Sequence, residues 1–380
     1  MRYSRHFPPL ILHFLVGLSF TNNAIYPLYI QAAGGGPQVV GWFMATYYLA
    51  AILGRPFIGA FLNRWGIKPV LTAGIVLIAL TPLLYVFANQ RWLSMFSIRL
   101  IQGLGFGAYF SAFFTLAAER APDQRRTEMV GIYGLPGMAA NLVGPGIGEW
   151  IVRTSGMTAF FITLGSLGVL ALLAVSRIPS LPRSIPEKRH FRLSRYRPLI
   201  FPFSLSLMLA FSWAAPVMFL ASLAEIRHIT GFGLYFTAFA LSGIVFRLVG
   251  RTWADRFGWR RILIPAFSVY GLGLTVLVFS QHLNLLISAG ALVGAAHGMA
   301  FPAVTALAYN FAPRGLRGAA MALSTGMLDL GGFSSGLILG WIAENIRVVW
   351  VFPVSAGVAF LAAALVTLHV GFSPQRRIPD

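Results

Sequence analysis

Apolar residues run along this chain in long blocks, and polar residues gather between the blocks instead of alternating with them. About 20 mostly apolar residues suffice to cross a bilayer as an α-helix. Twelve such spans are predicted, at 8–31, 38–61, 69–88, 92–117, 128–151, 156–176, 198–224, 230–252, 262–280, 284–311, 316–343 and 348–371. The first is not read as a cleavable signal peptide: it is long, it contains Asn22, Asn23 and Pro27, and no small-residue cleavage pattern follows it.

The polar positions give the topology. Of 29 Lys and Arg, twenty-two fall in one set of loops and four (Arg91, Arg153, Arg227, Arg347) in the opposite set. The remaining three, Arg55, Arg99 and Arg247, fall inside spans. Basic loops stay in the cytoplasm, so both termini are expected there. The one long polar stretch, 177–197, is rich in basic residues and contains Pro179, Pro182 and Pro186. It reads as a cytoplasmic linker between residues 1–176 and 198–380, each a six-helix bundle.

The two halves repeat each other. Arg55, Asn63, Gly66 and Lys68 stand 192 positions before Arg247, Asp255, Gly258 and Arg260. Gly103, Gly107, Arg126 and Trp150 stand 191 before Gly294, Gly298, Arg317 and Trp341. A parallel duplication of six helices is an architecture of secondary transporters, with the substrate site at the repeat interface near mid-membrane.

Composition sharpens this. Apolar types make up 57% of the 380 residues and charged types 10%, against about 45–50% and 25% in soluble domains. That excludes a soluble enzyme, a disordered chain and a nucleic-acid-binding module. The net charge of +19 belongs to the basic loops, and the absence of cysteine removes thiolate metal sites and cysteine nucleophiles. With no paired deep carboxylates, no His-x-x-x-His and no nucleotide-binding loop, no enzymatic activity, cofactor or metal is expected.

These residues resemble the major facilitator superfamily over essentially the whole chain, and in particular its bacterial drug/proton-antiporter and sugar-efflux branch. Gly59, Asn63, Arg64, Gly66 and Lys68 are similar to the family's loop signature, with Asn63 where the family has Asp. The second copy is fuller, with Asp255, Arg256, Gly258 and Arg260. Arg99-x-x-x-Gly103 is similar to a motif of proton-coupled members, and Gly144-Pro145-x-x-Gly148 to one of antiporters. The resemblance implies an all-α membrane protein of twelve helices in two pseudo-symmetric bundles. The implied activity is alternating-access transport, with the loop motifs gating the cytoplasmic side.

Buried polar groups mark the candidate chemistry, because an ionisable residue deep in a span costs about 2.5–3.5 kcal/mol on insertion scales. At 1.5 Å per residue, Arg99 and the pair Asn22 and Asn23 lie at similar depth and are expected to meet. Asp329 is the only acidic residue deep in any span and is the first candidate for a proton carrier. His297 lies on the preceding span and is the second, expected to couple to it. Arg55 and Arg247 read as snorkelling anchors, and Glu149, Glu225 and Glu344 as caps and ion pairs beside Arg153, Arg227 and Arg347. Tyr26, Gln102, Tyr109, Asn141, Trp213 and Phe301 complete a mostly aromatic cavity suited to an amphipathic or weakly polar substrate.

The expected protein is therefore a monomeric, proton-coupled exporter in a bacterial inner membrane. An uncoupled facilitator, an importer, or a lipid or metabolite flippase on the same fold is the alternative. A phosphatase active only in the periplasm, fused after Asp380, should be inactive; an active fusion would overturn the topology.

Overall fold

The structure is a computed structural model that describes residues 7–88, 91–120, 126–179, 197–250, 253–313 and 317–369. It contains helices and no strand among the described residues. In a bilayer no water is present to bond a free N–H or C=O, so each apolar block closes its backbone bonds internally. The helices are α1 Phe7–Thr21, α2 Tyr26–Ala32, α3 Pro37–Trp65, α4 Ile67–Val86, α5 Trp92–Arg120, α6 Arg126–Ser176, α7 Ile200–Ile226, α8 Gly233–Val249, α9 Trp253–Phe257, α10 Trp259–Val278, α11 Leu283–Phe311, α12 Arg317–Asn345 and α13 Val351–Leu368.

Nine helices among the described residues are long and apolar enough to cross a membrane. One of these, α6, holds the predicted fifth and sixth spans, broken at Gly156 with φ of 81°. The shorter apolar α8 supplies the eighth span. The first span is α1 and α2 joined by a 3₁₀ turn at Asn22–Ile25. This accounts for the twelve predicted spans. The eighth is shorter than the sequence suggested: α8 ends at Val249, with Gly250 as its C-cap. Most of the linker, residues 180–196, lies outside the described residues.

The two signature loops turn at their glycines. Gly66 ends α3 with φ of 87° and Gly258 precedes α10 with φ of 82°, a region that side chains with a Cβ avoid.

The two repeats meet along two helix pairs, α3 with α12 and α6 with α8. Here the side bearing the Lys- and Arg-rich loops is called the basic face. Toward the opposite face both seams are tight. A Cβ on Gly41 would run into the backbone of Gly336 and Gly340, and one on Gly233 into Gly146. The carboxylate of Glu344 accepts from the Gln38 amide at 3.1 Å. Buried Glu149 accepts from the amides of Gly231 (2.7 Å) and Gly233 (2.8 Å). Each is a carboxylate set on the positive start of a helix from the other repeat. Gln31 and Ser222, which are repeat mates, bond across the axis at 2.9 Å.

The expected caps are thus present with partly different partners. Arg153 joins Glu149 and Glu225. Arg227 instead donates to the carbonyls of Leu277, Val278 and Ser280, which satisfies the exposed end of α10.

Toward the basic face the seams part. Gly59, Gly134 and Gly326 face open space. The basic end of the first repeat has its own core of Leu12, Val16, Ile58, Leu71, Phe113 and Tyr133, separate from the large core that joins the two repeats. The molecule is closed on the opposite face and parted on the basic face.

Candidate functional site

At mid-depth, where the 3₁₀ turn replaces α-helix, the side chains of Asn22 and Asn23 diverge. Asn22 bonds back to the Leu18 carbonyl at 2.7 Å and lies against Gly148, where even a methyl group would collide with its Oδ1. Gly144 makes similar room for Thr21. The Gly144-Pro145-x-x-Gly148 motif on α6 therefore has a concrete role: its glycines let α6 close onto the first span.

Asn23 turns to Arg99, as the matched depths suggested. Arg99 is fully buried. Its Nη1 donates to Asn23 Oδ1 at 2.9 Å and to Gln102 Oε1 at 2.7 Å. Gln102 in turn donates to the Tyr26 hydroxyl at 2.9 Å. The guanidinium stacks against Tyr26, Phe43 and Tyr47 at 4.6–4.7 Å and reaches Met44 Sδ at 2.9 Å. No carboxylate among the described residues pairs with it. The cation is held by neutral acceptors and ring faces, and it fixes α5 to α3 and the first span. It lies behind the cavity wall, not on it.

A narrow cavity between the repeats is lined by Phe20, Thr21, Asn23, Tyr48, Asn141, Trp213, Val217 and Phe236. Of the sequence candidates, Asn23, Asn141 and Trp213 lie on it. Tyr26 and Gln102 stand one layer behind, bonded to each other. Tyr109 is displaced: it donates to or accepts from His13 Nδ1 at 2.6 Å inside the basic-end core, because its face of α5 points to α1. His13, sandwiched with Phe113 at 4.4 Å, was not singled out from the sequence.

Asp329 is not isolated. Arg55 Nε donates to its Oδ2 at 2.8 Å, and Arg55 Nη2 reaches the same oxygen. This ion pair crosses the seam between α3 and α12 at the level where the seam parts. It corrects the reading of Arg55 as a snorkelling anchor. The expected pairing with His297 is not made either. His297 sits on the far side of α11 among Trp213 (5.5 Å), Phe239 (5.3 Å), Tyr270 (6.1 Å) and Phe301 (5.6 Å, stacked). Its Nδ1 is buried with no hydrogen-bond partner.

Arg247 likewise does not snorkel. Its Nη1 lies 3.2 Å from Met138 Sδ across the α6–α8 seam, and its guanidinium sits 5.7 Å from the Phe301 ring. Met138 stands 191 positions before Asp329, the repeat offset for these helices. The two seams are therefore built to one plan, Arg55 with Asp329 and Arg247 with Met138. The repeat register held this signal, but the pairing requires knowing which helix faces which.

The loop motifs make no described contact across the seams. Asn63 and Arg64 are exposed. Lys68 donates to the Ser176 carbonyl at 3.4 Å within the first repeat, Arg256 is exposed, and Arg260 lies over Trp259. The side chain of Asp255 lies outside the described residues. Contacts that close the basic face are not expected in a form where that face is parted.

A helical membrane protein with a duplicated architecture, two matched seams and, between them, a narrow cavity lined by aromatic rings and two asparagines is a transporter scaffold. The sequence model of the Major Facilitator Superfamily matches residues 10–231 and again 200–379, and the chain belongs to that superfamily of transporters. It is 22% identical to the staphylopine export protein of Staphylococcus aureus, over 93% of each chain. It is 27% identical to the multidrug resistance protein MdtG of Klebsiella pneumoniae, over 94% of this chain and 91% of that one. The fold matches the xylose transporter XylE of E. coli in an inward-open conformation, with a TM-score of 0.80, 14% identity, and coverage of 99% and 98%.

Arg99→Lys keeps the charge but loses the planar fork that serves Asn23 and Gln102 together. Losing one charge-assisted bond, about 1.5–3 kcal/mol, should lower flux roughly tenfold or more in protein inserted at normal levels. Proteoliposome transport measures this, and wild-type flux would remove Arg99 from the working site.

Proposed function

We propose that this protein is a monomeric, proton-coupled exporter of a small amphipathic molecule in the bacterial inner membrane. In this reading the basic face is cytoplasmic, the repeats 1–176 and 198–380 rock about the cavity, and the arrangement described is open to the cytoplasm. The observation that carries the reading is the ion pair from Arg55 to Asp329 across the α3–α12 seam. Export is supported by the names of the relatives in Staphylococcus aureus and Klebsiella pneumoniae, and the orientation by the placement of basic residues.

The coupling rule follows from the position of the pair. Opening the opposite face requires α3 and α12 to separate. An ionised Asp329 bound to Arg55 resists this, since breaking a partly buried pair strands two charges in a poorly solvating medium. The empty, deprotonated carrier is therefore held in the form described. Substrate in the cavity supplies contacts that offset the loss of the pair and let the carrier turn outward. Once the seam has separated, the stranded Asp329 carboxylate takes up a proton from the opposite side, and return brings Arg55 back beside it and displaces the proton to the basic face. Substrate and proton thus act on the same pair in turn, and the empty, deprotonated carrier stays in the form described. The two signature loops then close the cytoplasmic side in the outward-open form, and His297 serves the cavity wall instead of sharing the proton.

Asp329→Asn imitates the protonated form at every pH. It should abolish substrate accumulation driven by an imposed pH gradient, while downhill exchange persists within about tenfold of wild type, the scale of one released charge-assisted bond. Proteoliposome flux with and without ΔpH checks this. Uphill transport by Asp329→Asn would exclude Asp329 as the coupling site, and a wild-type protein indifferent to ΔpH would favour an uncoupled facilitator.

A further inference from the structure

The two seams share a plan, and one of them is incomplete. At the α3–α12 seam Arg55 meets a carboxylate. At the mirrored place on the α6–α8 seam Arg247 meets Met138, whose sulfur is a weak acceptor. Arg247 Nε is buried without a hydrogen-bond partner, and no carboxylate among the described residues lies within ion-pair distance. Arg99 has the same lack of a carboxylate and an equally unpartnered Nε, but its Nη1 donates to Asn23 and Gln102 and its guanidinium is boxed by three rings. Among the described residues Arg247 has only Met138 and one distant ring. It stands where the seam parts, since Gly134, one turn from Met138 on α6, faces open space. Asn141, less than a turn the other way, lines the cavity.

We propose that Arg247 is the anion-binding residue of the transport cavity, and that the substrate carries a carboxylate which takes the place at this seam that Asp329 holds at the other. The surroundings specify the rest of the molecule. Phe301 lies beside the guanidinium and stacks on His297, which leads to Trp213 on the cavity wall. An aromatic or amphipathic carboxylate would place its charge on the Arg247 fork and its apolar body along these rings. The buried Nδ1 of His297, left without a partner in this aromatic path, would bond a polar substituent that the loaded substrate brings beside it. A loaded substrate then completes the second ion pair. This inference rests on the reading of the chain as a transporter that loads from the basic face, and it names the substrate class for that site.

The test is equilibrium binding of 2-naphthoate and of 2-naphthamide, its neutral isostere, to the purified full chain in uncharged maltoside detergent, by isothermal titration. Wild type should bind the carboxylate at least about tenfold more tightly, the scale of one charge-assisted pair. Arg247→Gln should erase the preference and Arg247→Lys should keep part of it. Met138→Asp should also erase it, because an internal carboxylate then occupies the arginine, whereas the uncharged Met138→Asn should retain it. If Met138→Asp does not fold, the Arg247 variants and Met138→Asn still decide. A wild type that binds the carboxylate no better than the amide, or binds neither, overturns the proposal. So does a preference that survives Arg247→Gln or is lost in Met138→Asn. Binding needs neither flux nor a gradient, so this failure is separable from a failure of proton-driven transport.

Discussion

The ion pair between Arg55 and Asp329 is the interaction on which the rest of the site depends. A charge at mid-membrane must find its partner in the protein, and here each charge finds it on the other repeat. The pair therefore ties the energy of two buried charges to the distance between two helices. A charge-assisted bond of this kind is worth about 1.5–3 kcal/mol, enough to shift an equilibrium between two conformations roughly tenfold to a hundredfold. That is a useful size for a transporter, large enough to bias the empty protein and small enough for a proton or a substrate to overcome.

The other polar groups divide the remaining labour. Toward the opposite face, Glu149 and Glu344 sit on the amino ends of α8 and α3 from across the seams, so closure there uses backbone amides that would otherwise be unpaired. Close helix approach at Gly41, Gly336 and Gly233 lets those carboxylates reach. Deeper in, Arg99 is an internal brace: by engaging Asn23, Gln102 and three rings it holds the 3₁₀ turn, and with it one wall of the cavity. The signature loops lie at the parted end and hold contacts within their own repeats.

Much of this was legible in the chain, and what was missed has one cause. Long apolar blocks gave the helices, and the repeat offset set Gly66 and Gly258 in matching loops. Depth along a span, counted at a fixed rise, brought Arg99 to Asn23. Depth is one coordinate of three, however. Azimuth decided that Asn22 faces α6 while Asn23 faces Arg99, that Tyr109 bonds His13 in place of lining the cavity, and that His297 joins an aromatic cluster in place of Asp329. Arg55 looked like an anchor because its partner lies 274 positions away on another repeat. The repeat itself held the missing clue: Arg55 pairs with Arg247 in register, and Asp329 with Met138, so an acidic residue at one seam and a thioether at the other stand in equivalent places.

The central claim is that the Arg55–Asp329 pair holds the basic face open in the empty protein. The chain has no cysteine, so spin labels can be placed without background at Phe61 on α3 and Ala322 on α12, both exposed beyond the point where the seam parts. Double electron–electron resonance between them in nanodiscs measures the opening directly. In otherwise wild-type protein at high pH the distance distribution should be dominated by a long component, and Asp329→Asn should move a substantial fraction to a shorter one without ligand. A distribution unchanged by Asp329→Asn would contradict the account.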